Sequence, residues 1–114
     1  MENEALTEQQ FEKLADQELR SLEGALDKLD GLEVDLSSGI LTIEFPDGLK
    51  YVVNSHRAAR QIWMAAERSA WHFDFMREGS RWVASKNGDE LRSTLGAVIS
   101  RKVGAPVQLD GEAG

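Results

Sequence analysis

The chain has 114 residues, 41% of them hydrophobic, no cysteine and a formal net charge of −7. That length suits one domain and is too short for two, and the lack of cysteine excludes disulfides and thiolate metal sites. Residues 1–36 hold eleven acidic and three basic side chains, a net charge of −8, whereas residues 37–114 carry a net charge of +1. So acidic a surface argues against nucleic acid as a partner, since phosphate binding needs a basic patch.

The first predicted element is a long amphipathic helix that begins near Glu8. Thr7 and Gln10 have the spacing of a capping box, and apolar residues recur at intervals of three and four as far as Leu29. Gly31 suits the end of this helix. The face opposite the apolar one is acidic and carries Glu12, Asp16, Glu23 and Asp27.

After Gly31 the hydrophobic period changes to two, which predicts six antiparallel strands joined by short turns. The strands cover residues 32–36, 41–45, 49–54, 61–66, 70–75 and 81–85. A second helix is predicted from about Asp89 to Lys102, and the residues beyond Leu109 are expected to fray. The order α-β-β-β-β-β-β-α predicts an α+β fold, a two-layer α/β sandwich whose antiparallel six-stranded sheet carries both terminal helices on one face.

Alternation along the fourth and fifth strands turns Trp63 and His72 outward, onto the open face of the sheet. An exposed tryptophan is typical of a partner contact, and the alternative is a bulge or one-residue slip that turns Trp63 into the core. His72 suits a surface or partner contact better than a general base. Catalysis has little support, because the sequence contains no Gly-x-Ser-x-Gly elbow, no phosphate-binding glycine loop and no His-x-x-x-His pair.

The acidic run offers the hard oxygen ligands that Mg²⁺, Ca²⁺, Mn²⁺ and iron prefer. Its members are two helical pairs spaced four residues apart and three acids that follow them: Glu12 and Asp16, Glu23 and Asp27, then Asp30, Glu33 and Asp35. Like charges at that spacing repel, and a bound cation would relieve the repulsion. The sequence has no EF-hand loop, so cation binding is predicted to be exposed, weak and unselective. A solvated helix face and a surface for a basic partner protein are the alternatives.

Motifs spread over nearly the whole chain carry a resemblance to a known family. They are Phe11-x-x-Leu14-Ala15-Asp16, the acidic run to Asp35, Gly39-Ile40-Leu41-Thr42-Ile43, Asn54, Gln61-Ile62-Trp63-Met64-Ala65, His72-Phe73-Asp74, Trp82, and the closing helix through Leu91 and Leu95. Together they resemble the frataxin family, in particular its short bacterial members. Gly24 and Lys28 depart from the pattern, standing where many bacterial members carry acids. The resemblance implies one domain over residues 1–114, with an ordered core of about 7–109.

The resemblance also implies a function, that of an iron-binding protein of iron–sulfur cluster assembly. Such a protein acts as an iron chaperone or donor, or as a regulator of the complex of a cysteine desulfurase and the cluster scaffold. The alternative is a purely protein-binding regulator of the desulfurase that binds iron incidentally. The family's sites for iron (Fe²⁺ or Fe³⁺) map onto Glu12, Asp16, Glu23, Asp27, Asp30, Glu33 and Asp35. Its partner contacts map onto Asn54, Gln61, Trp63 and His72.

Three further expectations concern activity, assembly and location. We expect no enzyme, because the Glu-x-x-His pairs of di-iron helical bundles are absent, and weak ferroxidase activity stays an open alternative. We expect a monomer, with iron-dependent oligomers as the alternative. We expect a soluble cytoplasmic protein without membrane contact, because no apolar run approaches about 18 residues and the first ten residues are too polar and acidic for a signal peptide.

Overall fold

The computed structural model describes residues 6–84, 86–107 and 109. These residues form the predicted elements in the predicted order. The elements are α1 (Glu8–Leu26), β1 (Glu33–Ser37), β2 (Ile40–Glu44), β3 (Lys50–His56), β4 (Gln61–Ala66), β5 (Ser69–Met76), β6 (Arg81–Ala84) and α2 (Leu91–Val103). Ser85, the predicted end of the sixth strand, and the tail predicted to fray beyond Leu109 lie outside the described residues.

The helix α1 begins where the capping box predicts and ends earlier than expected. The Thr7 hydroxyl accepts a hydrogen bond from the Gln10 backbone N–H at 3.1 Å, and Gln10 Oε1 accepts one from the Thr7 N–H at 3.0 Å. At the other end, the Leu29 N–H bonds to the Leu26 carbonyl at 3.0 Å, a tighter turn that closes the helix at Leu26. Gly31, with a φ of 86°, lies beyond the helix and turns the chain into β1.

The six strands form one antiparallel sheet in sequence order, so each strand pairs with the next. Burial alternates along the central strands: Leu41 and Ile43 of β2 are buried, and so are Ile62 and Met64 of β4. The intervening side chains point to the open face. β3 continues to His56, two residues past the predicted strand end, because His56 still pairs with Gln61 of β4.

Both helices pack on the same face of the sheet, as predicted. Their apolar residues, among them Leu19 of α1 and Leu95 of α2, belong to one core cluster with the inward side chains of the strands. Trp82 is buried in this cluster, with the centre of its ring 6.0 Å from that of Phe11 and 5.2 Å from that of Phe75. Among the described residues, no helix is long and apolar enough to cross a membrane.

The helix α2 begins at Leu91 rather than at Asp89, because the preceding residues belong to the sheet edge. The Asp89 carbonyl accepts a hydrogen bond from the Ala84 N–H at 2.7 Å, and Glu90 forms a β-bridge with Val83. After the helix, the chain folds back along it, and Leu109 is buried. A Cβ atom on Gly96 would lie 3.1 Å from the carbonyl oxygen of Val107, so a glycine allows this close return.

Candidate metal-binding and partner-binding surfaces

Trp63 lies on the open face, in the middle of the sheet. Its Cα partners are Asn54 on β3 and His72 on β5, so these three predicted site residues form one cross-strand row. Ile40 of β2, which is 46% exposed, extends the row toward β1. The pairing of β3 with β4 is continuous through Trp63, and the alternative of a bulge or slip there is therefore wrong. The row therefore places one aliphatic, one amide and two aromatic side chains next to one another across the open face.

The indole of Trp63 is held between two imidazoles. Its ring centroid lies 3.8 Å from that of His56 and 4.3 Å from that of His72, and both ring pairs are inclined by 17°. Stacking leaves Trp63 half-buried, while His72 stays exposed. His56 was missed by the sequence reasoning, which assigned it to a loop. Continuing the alternation of β3 by one step from Asn54 would have placed it on the open face.

Gln61 fixes the indole from its edge. The Gln61 Oε1 accepts a hydrogen bond from Trp63 Nε1 at 2.8 Å, and its Nε2 donates to Asp74 Oδ1 at 3.0 Å. Asn54 Nδ2 donates to the carbonyl of Ser55 at 3.3 Å. Because stacking and hydrogen bonds both hold the indole, Trp63 loses little side-chain freedom when a partner contacts it, and such preorganisation favours affinity.

The acidic surface divides into two parts that differ in their arginine partners. The first part, the upstream carboxylates, consists of Glu8, Glu12 and Asp16. Arg57, just after β3, places Nη1 2.9 Å from Glu8 and Nε 2.9 Å from Glu12, while Arg20 places Nε 2.8 Å from Asp16. The pKa of both arginines is raised above its ordinary value. The larger cause is hydrogen bonding to these carboxylates, and the smaller is charge attraction. The upstream carboxylates are therefore largely neutralised.

The second part, the downstream carboxylates, runs from the last turns of α1 into β1 and consists of Glu23, Asp27, Asp30, Glu33 and Asp35. Within residues 6–84, 86–107 and 109, none of these side chains forms a salt bridge or a side-chain hydrogen bond. Val34 and Leu36 are the inward residues of β1, so Glu33 and Asp35 point to the open face that carries Trp63. The downstream carboxylates thus connect the helix layer with the edge of the open face.

Glu18 belongs to neither part. Its carboxylate receives two hydrogen bonds from Arg92 of α2, from Nε at 2.9 Å and from Nη2 at 3.1 Å. The two side chains are only 14% and 22% exposed, and Arg92 also donates to the Leu109 carbonyl at 3.1 Å. This bidentate pair joins α1, α2 and the returning C-terminal segment, so Glu18 serves the fold rather than a ligand.

The carboxylates are not arranged as a preformed metal cage. In the part of the chain that the structure describes, no three histidine, aspartate or glutamate side chains cluster closely enough to hold a metal ion. Carboxylate oxygens nevertheless are the ligand type that hard cations take. A cation at the downstream carboxylates would keep water ligands or draw exposed side chains together.

The fold and these two surfaces define a small α/β sandwich with an acidic edge and a stacked tryptophan on its open sheet face. A family model described as the frataxin-like domain matches residues 4–105. The chain therefore belongs to the frataxin-like family, and the resemblance seen in its motifs is confirmed.

The similar proteins include a curated relative and solved structures. The chain is 34% identical over 109 residues to the iron-sulfur cluster assembly protein CyaY of Cupriavidus necator, which covers 91% of this chain and 96% of that protein. The frataxin of Psychromonas ingrahamii has the same fold, with a TM-score of 0.85 at 24% identity over 93% of this chain and all of the other. Trimeric frataxin from the yeast Saccharomyces cerevisiae, solved in a ferrous complex, has a TM-score of 0.63 at 28% identity over 90% of each chain.

Proposed function

We propose that this chain is an iron-binding protein of iron–sulfur cluster assembly, which donates iron to the complex of a cysteine desulfurase and the cluster scaffold or regulates that complex. The observation that carries the proposal is the set of downstream carboxylates, which form no ion pair within the described residues and reach the sheet face that presents Trp63. The name of the Cupriavidus relative and the ferrous complex of the yeast protein support it.

Iron binds first at the downstream carboxylates, because none of them has an ion pair within the described residues that must break first. Glu12 and Asp16, which the family resemblance also implies as ligands, must first give up Arg57 and Arg20. Fe²⁺ and Fe³⁺ both accept carboxylate oxygens. The site has no rigid geometry, so other divalent cations compete with iron, and binding is weak and exposed.

The partner surface consists of the row around Trp63. Asn54, Gln61, Trp63 and His72 contact the assembly partner, with the fixed indole as the apolar anchor. Beside the row, Glu33 and Asp35 attract a basic surface on the partner and set its orientation. The same carboxylates can therefore meet iron or the partner.

A purely protein-binding regulator, for which iron is incidental, is the second candidate. It is favoured by the lack of a metal-holding cluster among the described residues. Under this alternative, the double charge reversal Asp27→Lys/Glu33→Lys abolishes desulfurase binding even when a chelator removes all iron. Binding that survives the reversal would rule the alternative out.

The proposal extends to activity, assembly and location. The chain acts as one domain and as a monomer, with iron-dependent oligomers as the alternative; yeast frataxin forms trimers. It works in the cytoplasm and is not an enzyme. Oxygen consumption with ferrous iron should therefore stop at a stoichiometric amount, whereas continued turnover would identify a ferroxidase.

The iron part of the proposal is tested by an anaerobic titration with ferrous iron, followed by amide NMR. Paramagnetic broadening should begin in residues 23–35, at the downstream carboxylates. Broadening that begins in α2 would contradict the proposal.

The partner part is tested by a pull-down with the cysteine desulfurase. Trp63→Arg should abolish capture, because it removes the aromatic anchor and puts a charge at the centre of the row. Ser93→Arg adds the same charge on the exposed side of α2 and should leave capture unchanged. Equal capture by the two variants would show that the open face is not the contact.

A further inference from the structure

An open cleft of about 520 Å³ lies where β3, the chain between β4 and β5, and the last turns of α2 meet. Its walls come from two elements that meet there: the turn between β4 and β5, and the last turns of α2. Tyr51 and Val98 line it and are almost fully buried, and Trp71 is a half-buried wall. A cleft of this volume is in the range that small-molecule ligands occupy.

The only carboxylate that lines the cleft, within the described residues, is already engaged. Glu67 Oε2 accepts a hydrogen bond of 2.6 Å from the Tyr51 hydroxyl. Burial, and then this hydrogen bond, raises the pKa of Tyr51 to about 12, so the phenol stays protonated and keeps donating to Glu67 at neutral pH. Glu67 has a φ of 57°, an unusual conformation for a residue other than glycine. The acid is thus tied to the wall of the cleft.

The cationic side chains of the cleft are in part unengaged. Lys102 is occupied: its Nζ lies 2.5 Å from Asp47 Oδ2 and 5.7 Å from the centre of the Phe45 ring. Arg68 and Arg101 form no hydrogen bond and no ion pair within the described residues. The positive charge of Arg101 partly opposes the rise in the pKa of Tyr51, in keeping with its place on the wall of the cleft.

We infer that this cleft binds a small organic polyanion, with one anionic group at Arg68 and another at Arg101. A guanidinium group offers paired donors that match carboxylate and phosphate oxygens, and the two arginines come from different elements. Trp71 and Val98 supply an apolar wall for the carbon skeleton. Polycarboxylates and phosphate compounds share this anionic chemistry, and their binding can be compared directly. None of the described residues that line the cleft belongs to the downstream carboxylates or to the row around Trp63.

The test is a titration of the metal-free protein with citrate and, separately, with pyrophosphate, read by amide and indole NMR. Sodium chloride at matched ionic strength is the control for screening. Saturable shifts of the Trp71 indole N–H and of amides in residues 67–71 and 98–102 are expected. Tighter binding of citrate assigns a polycarboxylate ligand, and tighter binding of pyrophosphate assigns a phosphate ligand.

Matched variants decide whether the two arginines bind the anion. Arg68→Gln and Arg101→Gln, each checked for folding by circular dichroism, should weaken binding at least about ten-fold. Arg81→Gln removes the same charge from β6, away from the cleft, and should leave binding unchanged. Shifts that never saturate, that sodium chloride reproduces, or that weaken equally in Arg81→Gln would overturn the inference.

Discussion

The upstream and downstream carboxylates belong to one acidic run and differ in what surrounds them. Arg57 and Arg20 hold the upstream group, whereas the downstream group has no ion pair within the described residues. Arg57 reaches Glu8 across 49 positions of sequence. The difference therefore arises from the tertiary fold, which neutralises one half of a run that looks uniform in sequence.

This contrast indicates at which carboxylates a cation gains the most free energy on binding. A cation that approaches the upstream carboxylates competes with an arginine that is already bonded. At the downstream carboxylates it relieves repulsion between acids such as Glu23 in the last turn of α1 and Asp27, the residue that caps this helix. The downstream half also continues onto the open face that carries Trp63, so the proposed metal and partner surfaces share that face.

The largest expected effect is on stability and concerns a third kind of carboxylate, the half-buried Glu18. Arg92→Ala leaves Glu18 without its bidentate partner at low exposure and should lower the free energy of unfolding by about 2–4 kcal/mol. Arg20→Ala breaks an exposed pair that water and salt screen, and it should lower the free energy of unfolding far less. Urea denaturation measures both.

A double variant provides the control for this prediction. Adding Glu18→Gln to Arg92→Ala removes the unpaired charge and should restore part of the lost stability. Equal losses for Arg92→Ala and Arg20→Ala would mean that partner burial does not separate these carboxylates.

The second prediction concerns Glu67, a carboxylate whose partner is a neutral phenol. Its hydrogen-bond donor, Tyr51, has a folded-state pKa of about 12, above the ordinary value of about 10. The native state therefore holds the phenolic proton more tightly than the unfolded state. This contributes on the order of 2 kcal/mol below pH about 10, and the contribution is lost as the pH rises through about 12.

The chain contains one tyrosine, so ultraviolet absorbance reports this titration directly. The folded protein should show a midpoint near pH 12, and Tyr51→Phe should remove the extra loss of stability in that window. A midpoint near pH 10 in the folded protein would contradict the buried hydrogen bond.

The smallest expected effect tests whether Arg57 masks the upstream carboxylates. Arg57→Gln releases Glu8 and Glu12 and should raise the affinity for ferrous iron by about two-fold at low salt, because a surface pair is worth little and is screened. Calorimetric titration measures the change, with Arg81→Gln as the variant that removes a distant charge. A gain no larger than that of Arg81→Gln would mean that Arg57 does not mask the upstream carboxylates.

The sequence predicted the features that repeat locally. Three such predictions were confirmed: the apolar stripe of α1, its capping box and the alternation that turns Trp63 outward. Each depends only on residues that are close in sequence within one element. The end of α1 at Leu26 was missed, because a tightened turn ends the helix before Gly31. Contacts between distant segments were missed as well, above all His56 on Trp63 and Arg57 on the upstream carboxylates, since no period in a sequence encodes which side chains meet across a fold.

The most direct test of the account removes equal charge from the two halves of the acidic surface. One variant carries Asp27→Asn, Glu33→Gln and Asp35→Asn, and the other carries Glu8→Gln, Glu12→Gln and Asp16→Asn. Anaerobic calorimetry with ferrous iron should find affinity reduced at least about ten-fold in the first variant and less than about three-fold in the second. Equal losses, or a larger loss in the second, would contradict the assignment of iron to the downstream carboxylates.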